Sequence, residues 1–273
     1  MPKLTTPDQV NLNYTDIGSG RPIVMIHGWP LSGAAFADNA KVLAAAGYRV
    51  ITYDRRGFGQ SGKPRDGYDY DTLAADLDAL LTGLDLRDAV LLGFSMGGGE
   101  VARYLATRGS ERVGAAILSG SVCPALCITK DNPDGAMPRE GFQELADACA
   151  ADHAGFVDQF CGWFYSNDQG LTVPEEVRQQ AVEIARQSAP HAAVATILSW
   201  TEDLREDCRR IDVPLLVIHG DGDQNVPLAK SSARMPEYAQ QAQLVVIEGG
   251  PHGINVSHAD QWNAAILSFL AGS

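Results

Sequence analysis

LLGFSMGGGE, residues 91–100, carries a short apolar run into three consecutive glycines, with one serine set between a phenylalanine and a methionine. Residues 93–97 read Gly-Phe-Ser-Met-Gly, the pattern G-x-S-x-G, where a strand-like run ends and a helix-like run begins. In that setting the serine occupies a sharp, strained turn. Glycines two residues to either side leave room for close backbone approach, and the hydroxyl projects above the sheet. The following helix aims its N-terminus at the serine, where partial positive charge favours a developing oxyanion. The plainer reading is a tight turn whose serine caps a helix, so the surroundings of the motif must decide.

Outward from this turn the chain alternates between two kinds of segment. VNLNYTDIG (10–18), RPIVMIHG (21–28), YRVITYD (48–54), DAVLLGF (88–94) and VGAAILSG (113–120) read as strands. Between them, AAFADNAKVLAAAG, YDTLAADLDALLTGLDL and MGGGEVARYLATRG place apolar residues at intervals of three and four, and the first and third stop on glycine. The strand pattern returns with VPLLVIHG (213–220) and AQLVVIEGG (242–250), followed by a last helix from about His258 to Leu270. Short apolar runs separated by helices predict an α/β fold, a mostly parallel sheet with helices on both faces. From Ser121 to about Arg210 the strand pattern disappears among helix formers and aromatics, which predicts a helical cap (121–210) inserted into a core built from 1–120 and 211–273, one domain overall.

The 273 residues are 45% hydrophobic and 20% charged, a globular composition. A net charge of −13 argues against a nucleic-acid partner or an anionic lipid surface. No run approaches the roughly 18 apolar residues of a membrane span, and the N-terminus lacks a signal-like pattern, so a cytoplasmic protein is expected. Five cysteines without a zinc-like pair of doublets predict reduced structural thiols and no metal.

A serine hydroxyl needs a base, and the base needs a carboxylate to orient it. Of six histidines, His27 and His219 end buried-strand runs before glycine and suit turn-ordering roles. His153 and His191 fall in the helical insertion, and His258 precedes the last helix. His252, in EGGPHG after the final strand, lies in a loop made permissive by glycine and is the candidate base. HGDGDQNVP (219–227) supplies two aspartates directly after a strand; Asp221 is assigned to the turn and Asp223, further into the loop, to the acid. Candidate oxyanion donors are the backbone amides of Met96, next to the serine, and of Trp29 in HGWP (27–30), since Pro30 has no amide hydrogen. Trp29, Pro30, Val122, Phe160, Phe164 and Asn225 are the expected pocket residues.

HGWPLSG, YDRRGFGQS (53–61), GFSMGGGEVARY (93–104), VIHGDGDQNVP and PHG together resemble the α/β-hydrolase superfamily, and within it the cofactor-free bacterial haloperoxidases (non-heme chloroperoxidases), aryl esterases and perhydrolases. The similarity runs from Gly18 to Leu270. It implies a triad of Ser95, Asp223 and His252 with an oxyanion hole from the Trp29 and Met96 amides, no cofactor, and a small ester substrate, with hydrogen peroxide as an alternative acyl acceptor. It also implies a second reading, hydrolysis of a γ-lactam or another small cyclic amide or lactone by the same machinery. At Asn225 the resemblance implies an apolar residue, so a polar group is expected in or beside the pocket. Readings from other classes are a hydroxynitrile-lyase-type lyase and a non-catalytic ligand receptor. A homo-oligomer is compatible with the sequence.

Overall fold

The computed structural model describes residues 2–272. Its frame is one eight-stranded sheet: β1 (Lys3–Thr5), β2 (Asn11–Gly18), β3 (Pro22–Ile26), β4 (Arg49–Tyr53), β5 (Ala89–Phe94), β6 (Val113–Ser119), β7 (Leu215–Gly220) and β8 (Ala242–Ile247). Spatial order is β1-β2-β4-β3-β5-β6-β7-β8. β1, β2 and β4 pair antiparallel, and every pairing from β4 to β8 is parallel. β5 and β7 are buried along their whole length, as expected of strands covered on both faces, whereas the edge strand β8 leaves Leu244 and Val246 exposed.

The helices of the core are α1 (Ala37–Ala45), α2 (Tyr70–Gly83) and α3 (Met96–Arg108). Five more lie between β6 and β7: α4 (Arg139–Ala151), α5 (His153–Phe164), α6 (Glu175–Ala185), α7 (Pro190–Ser199) and α8 (Arg205–Arg209). The chain closes with α9 (Ile254–Ser257) and α10 (Ala259–Leu270). α3 can lie directly on β3 and α2 because of its glycines. A Cβ at Gly97 would run into the carbonyl oxygen of Ile26, and one at Gly99 into the Tyr70 ring.

Two features were not legible beforehand. The three-residue β1 is too short to show alternation. The stretch between β6 and β7 also contains two ribbons of two residues per strand, Cys127–Ile128 with Met137–Pro138 and Ser166–Asn167 with Gly170–Leu171. Among the described residues, no helix is long and apolar enough to cross a membrane.

Candidate active site

The fold brings three strand ends to one point. β5 ends at the G-x-S-x-G turn, where Ser95 takes φ 55° and ψ −120°, a backbone region that side-chain-bearing residues rarely occupy. The turn is tied to the neighbouring chain: the Ser95 amide donates to Ser119 O at 2.8 Å, and the Ser95 carbonyl accepts from Gly98 (3.0 Å) and Val122 (3.3 Å). A Cβ at Gly93 would collide with the carbonyl of Gly97, so glycine is required where strand and helix approach.

β7 delivers Asp223 and β8 delivers His252 to the same point. Ser95 Oγ lies 2.9 Å from His252 Nε2, and His252 Nδ1 lies 2.6 Å from Asp223 Oδ2, all three side chains buried. Asp223 Oδ1 accepts from the amides of Asn225 (2.9 Å) and Val226 (2.8 Å). Burial alone would push the Asp223 carboxyl up, but the electrostatic pull of the His252 imidazole and the hydrogen bonds from His219 and His252 outweigh it and hold the group below the ordinary aspartate range. An ionised Asp223 has only acceptors to offer, so Nδ1 of His252 carries a proton and Nε2 is left to accept from the serine hydroxyl. Asp221 sits outside this chain: its Oδ1 accepts from the Gly249 amide at 2.6 Å, stitching the acid loop to the loop that bears His252.

The amides of Trp29 and Met96 make no hydrogen bond to any described residue. Met96 is the first residue of α3, where helix geometry provides no acceptor and the macrodipole is positive.

Comparison with known proteins agrees with this architecture. Residues 21–259 match the family described as alpha/beta hydrolase fold. The chain belongs to the α/β-hydrolase fold family. A crystal structure of a bromoperoxidase from Bacillus anthracis superposes on this α/β hydrolase with a TM-score of 0.96 at 39% identity, covering 99% of both chains. The non-heme chloroperoxidase CPO-A1 of Kitasatospora aureofaciens is 40% identical over 99% of each chain, and the bifunctional esterase/perhydrolase of Acinetobacter calcoaceticus 34% identical over 98% of each.

In this hydrolase Ser95 and His252 open into a cavity of about 320 Å³, walled largely by apolar side chains. Of the expected pocket residues, Val122, Phe160 and Asn225 line it. Trp29, Pro30 and Phe164 are not among its lining residues. The Trp29 indole stands behind the wall, edge-on to Phe160 at 4.6 Å and to Trp200 at 5.3 Å, with its Nε1 donating to Ala193 O. Pro30 is buried after a cis Trp29–Pro30 bond. Phe164 packs edge-on against the His252 imidazole at 4.8 Å, while its own carbonyl accepts from the Gly253 amide at 2.8 Å, so it braces the histidine loop rather than the cavity. The helical segment contributes wall residues that sequence reasoning missed, among them Leu126, Phe142, Trp163 and Trp200.

Two supporting networks were also missed in their detail. His219 is fully buried; its Nε2–H points at Val226 O (2.8 Å) and Asp223 Oδ2 (3.1 Å), and its Nδ1 accepts from the Ser232 hydroxyl (2.7 Å). Since Val226 O can only accept, the Nε2–H tautomer is set, and His219 clamps the acid loop. On the other side, the Arg55 amide donates to His27 Nε2 (2.9 Å) and the Arg55 guanidinium to His27 O (2.7 Å), fixing the HGWP loop that presents Trp29. Burial holds His27 well below the usual imidazole range, with Arg55 adding to the effect, so the ring is neutral. Arg55 in turn meets Glu100 at 2.9 Å, and Tyr53 donates to the same carboxylate. Burial pushes Glu100 up and Arg55 down to about 10, and their contact offsets the loss of water by both. The residues were visible in DRRGFG and GFSMGGGE; their pairing depends on the loop after β4 reaching the first turns of α3.

Proposed function

We propose that this chain is a serine hydrolase of small carboxylic esters that works through an acyl-enzyme and also delivers the acyl group to hydrogen peroxide. One observation carries the reading: an unbroken hydrogen-bond chain from Ser95 through His252 to Asp223, opening into an apolar cavity beside two backbone amides that have no other partner among the described residues.

In this mechanism His252 Nε2 removes the hydroxyl proton as Ser95 Oγ attacks the ester carbonyl, and the oxyanion is received by the Trp29 and Met96 amides. Asp223 holds the imidazolium in register. As the carbon–oxygen bond to the alcohol breaks, His252 returns the proton to the leaving alkoxide. Water, deprotonated by the same nitrogen, then attacks the acyl-enzyme and releases the acid and free Ser95. When hydrogen peroxide attacks instead, the product is a peracid, which in solution oxidises halide to hypohalous acid and returns to the carboxylic acid. That route needs no haem, flavin or metal, and it accounts for relatives named both haloperoxidase and esterase/perhydrolase. The same names favour the ester reading over the lactam one.

On this reading residues 121–210 form a cap over a core of 1–120 and 211–273; Phe160 and Trp163 of α5 and Trp200 after α7 support it, since they bound the cavity above Ser95. Five buried free thiols fit a reducing, cytoplasmic setting.

The test is a panel of short-chain esters run with water alone and with hydrogen peroxide, following acid release and peracid formation in the native enzyme and in Ser95→Ala. Both activities should be present in the first and lost together in the second. Peroxide-dependent halogenation that survives Ser95→Ala would refute the acyl-enzyme route.

A further inference from the structure

Four methionines fall among the described residues. Met25, Met96 and Met235 are fully buried, whereas Met137 is half-buried. Met137 also lines the cavity into which Ser95 and His252 open. The one accessible thioether among the described residues therefore stands in the wall of the space where, on the proposed mechanism, an acyl-enzyme meets hydrogen peroxide.

The product of that encounter is an oxidant for sulfur. When a thioether attacks the outer peroxo oxygen of a peracid, the O–O bond breaks, an S–O bond forms and the peroxo proton goes to the departing carboxylate. One peracid and one thioether thus give one carboxylic acid and one sulfoxide, the sulfur losing the two electrons that the peracid gains. Hydrogen peroxide must expel hydroxide in the same step, a far poorer leaving group than a carboxylate, and is the slower reagent. The thiols are out of reach, since none of the five cysteines is more than 5% exposed.

We propose that Met137 is oxidised to the sulfoxide by peracid formed at Ser95 before that peracid leaves the cavity, and that the sulfoxide weakens binding of apolar esters, so that peracid synthesis limits itself. The proposal rests on the perhydrolase reading of this site. Met137 pairs with Cys127 in the two-residue ribbon and leads directly into α4. Its sulfur lies over the first turn of that helix, where a Cβ at Gly141 would stand 3.0 Å from Sδ, so the side chain is held against the wall. The other wall residues of this stretch, Leu126, Ala136, Phe142 and Leu145, are apolar and offer no side-chain donor to a sulfoxide oxygen. Oxidation therefore sets an unpaired polar group among the surfaces that receive the ester.

The experiment gives the native enzyme ethyl pentanoate and hydrogen peroxide with excess free methionine, which consumes peracid once it is released. Peptide mass spectrometry maps the oxidised residues, and the Ser95-dependent conversion of free methionine to its sulfoxide counts the peracid. Met137 sulfoxide should accumulate in proportion to turnover, about tenfold or more faster than with hydrogen peroxide alone or in Ser95→Ala. Its yield per turnover should stay within twofold when free methionine is raised tenfold, because oxygen transfer precedes release. The oxidised enzyme should show a KM raised by about fivefold or more with kcat within twofold, restored by methionine sulfoxide reductase. Met137→Leu, read against its own initial rate, should keep that rate through turnovers that slow the native enzyme. Peracid output with Met137 unmodified, oxidation that settles on Trp163 instead, a yield that falls tenfold with the added methionine, or a native KM after oxidation would each overturn the proposal and leave the perhydrolase reading intact. Absence of any Ser95-dependent peracid would overturn that reading and the proposal with it.

Discussion

Replacing Asp223 by Asn changes no more than one oxygen to an NH2 group, yet the surrounding hydrogen bonds dictate which way the amide turns. Asp223 accepts four contacts: Asn225 N and Val226 N at Oδ1, and His252 Nδ1 and His219 Nε2 at Oδ2. If the new NH2 faced the two backbone amides, two buried donors would be orphaned, at about 1–3 kcal/mol each. If it faces the histidines, His219 keeps Val226 O at 2.8 Å, and His252 resolves the clash by moving its proton from Nδ1 to Nε2. The second arrangement is the less costly, and it is inactive, because Nε2 can no longer accept the Ser95 proton. Asp223→Asn should therefore lower kcat for a short-chain ester by about 10⁴-fold, the cost of a wrong tautomer in a serine triad. Asp221→Asn is the control: its carboxylate meets the Gly249 amide at an exposed site, so it should cost no more than about 1 kcal/mol of stability and less than tenfold in kcat. Steady-state ester hydrolysis and thermal melts of the two variants decide the matter. An Asp223→Asn enzyme within tenfold of native, or a larger loss in Asp221→Asn, would refute the assignment of the acid.

Three other outcomes follow from the same geometry. Arg55→Met strands the fully buried Glu100 and releases the His27 carbonyl, so stability should fall by about 3–5 kcal/mol; a melting temperature within about 2 °C of native would contradict it. Gly97→Ala drives a Cβ into the Ile26 carbonyl and should abolish soluble expression or ester turnover, whereas an active, native-like variant would show that β3 and α3 have room to separate. Because Asp223 is held below its ordinary value of 3.8, its contribution to stability is complete above that pH and is lost only as pH falls through the lower folded value. Melts between pH 4 and pH 2 should therefore steepen in the native protein relative to Asp223→Asn, and identical slopes would show that this carboxylate is not held down.

The strands were legible because β3 to β7 are short, nearly continuous apolar runs ended by glycine or a polar residue, and the turn at Ser95 because a strained non-glycine position needs glycine around it. The loops after β7 and β8 were equally readable: few residue types combine a flexible loop with a titratable ring or carboxylate. The cavity wall was only partly legible. In α5, Phe160 and Phe164 were both expected in the pocket, but the rotation of the helix turns Phe160, together with Trp163, into the cavity and Phe164 onto His252. That rotation is set by packing between helices, which hydrophobic periodicity does not specify. Trp200 and Leu126 lie outside the helices, where only tertiary contacts decide orientation, and Trp29 sits behind the wall with Phe160 and Trp200 packed edge-on against it. His219, read as a turn residue, reaches across its loop to Val226 and Ser232, a contact that no local pattern announces.

The central claim, that Ser95 is an acylated nucleophile activated by His252, is tested most directly by intact-protein and peptide mass spectrometry after treatment with an ester-like fluorophosphonate. One adduct per chain on Ser95 is predicted, forming at least a thousandfold more slowly when His252 is replaced by Ala, since a bare serine hydroxyl is a weak nucleophile. Labelling that falls on another residue, or that proceeds at the native rate without His252, would contradict the account.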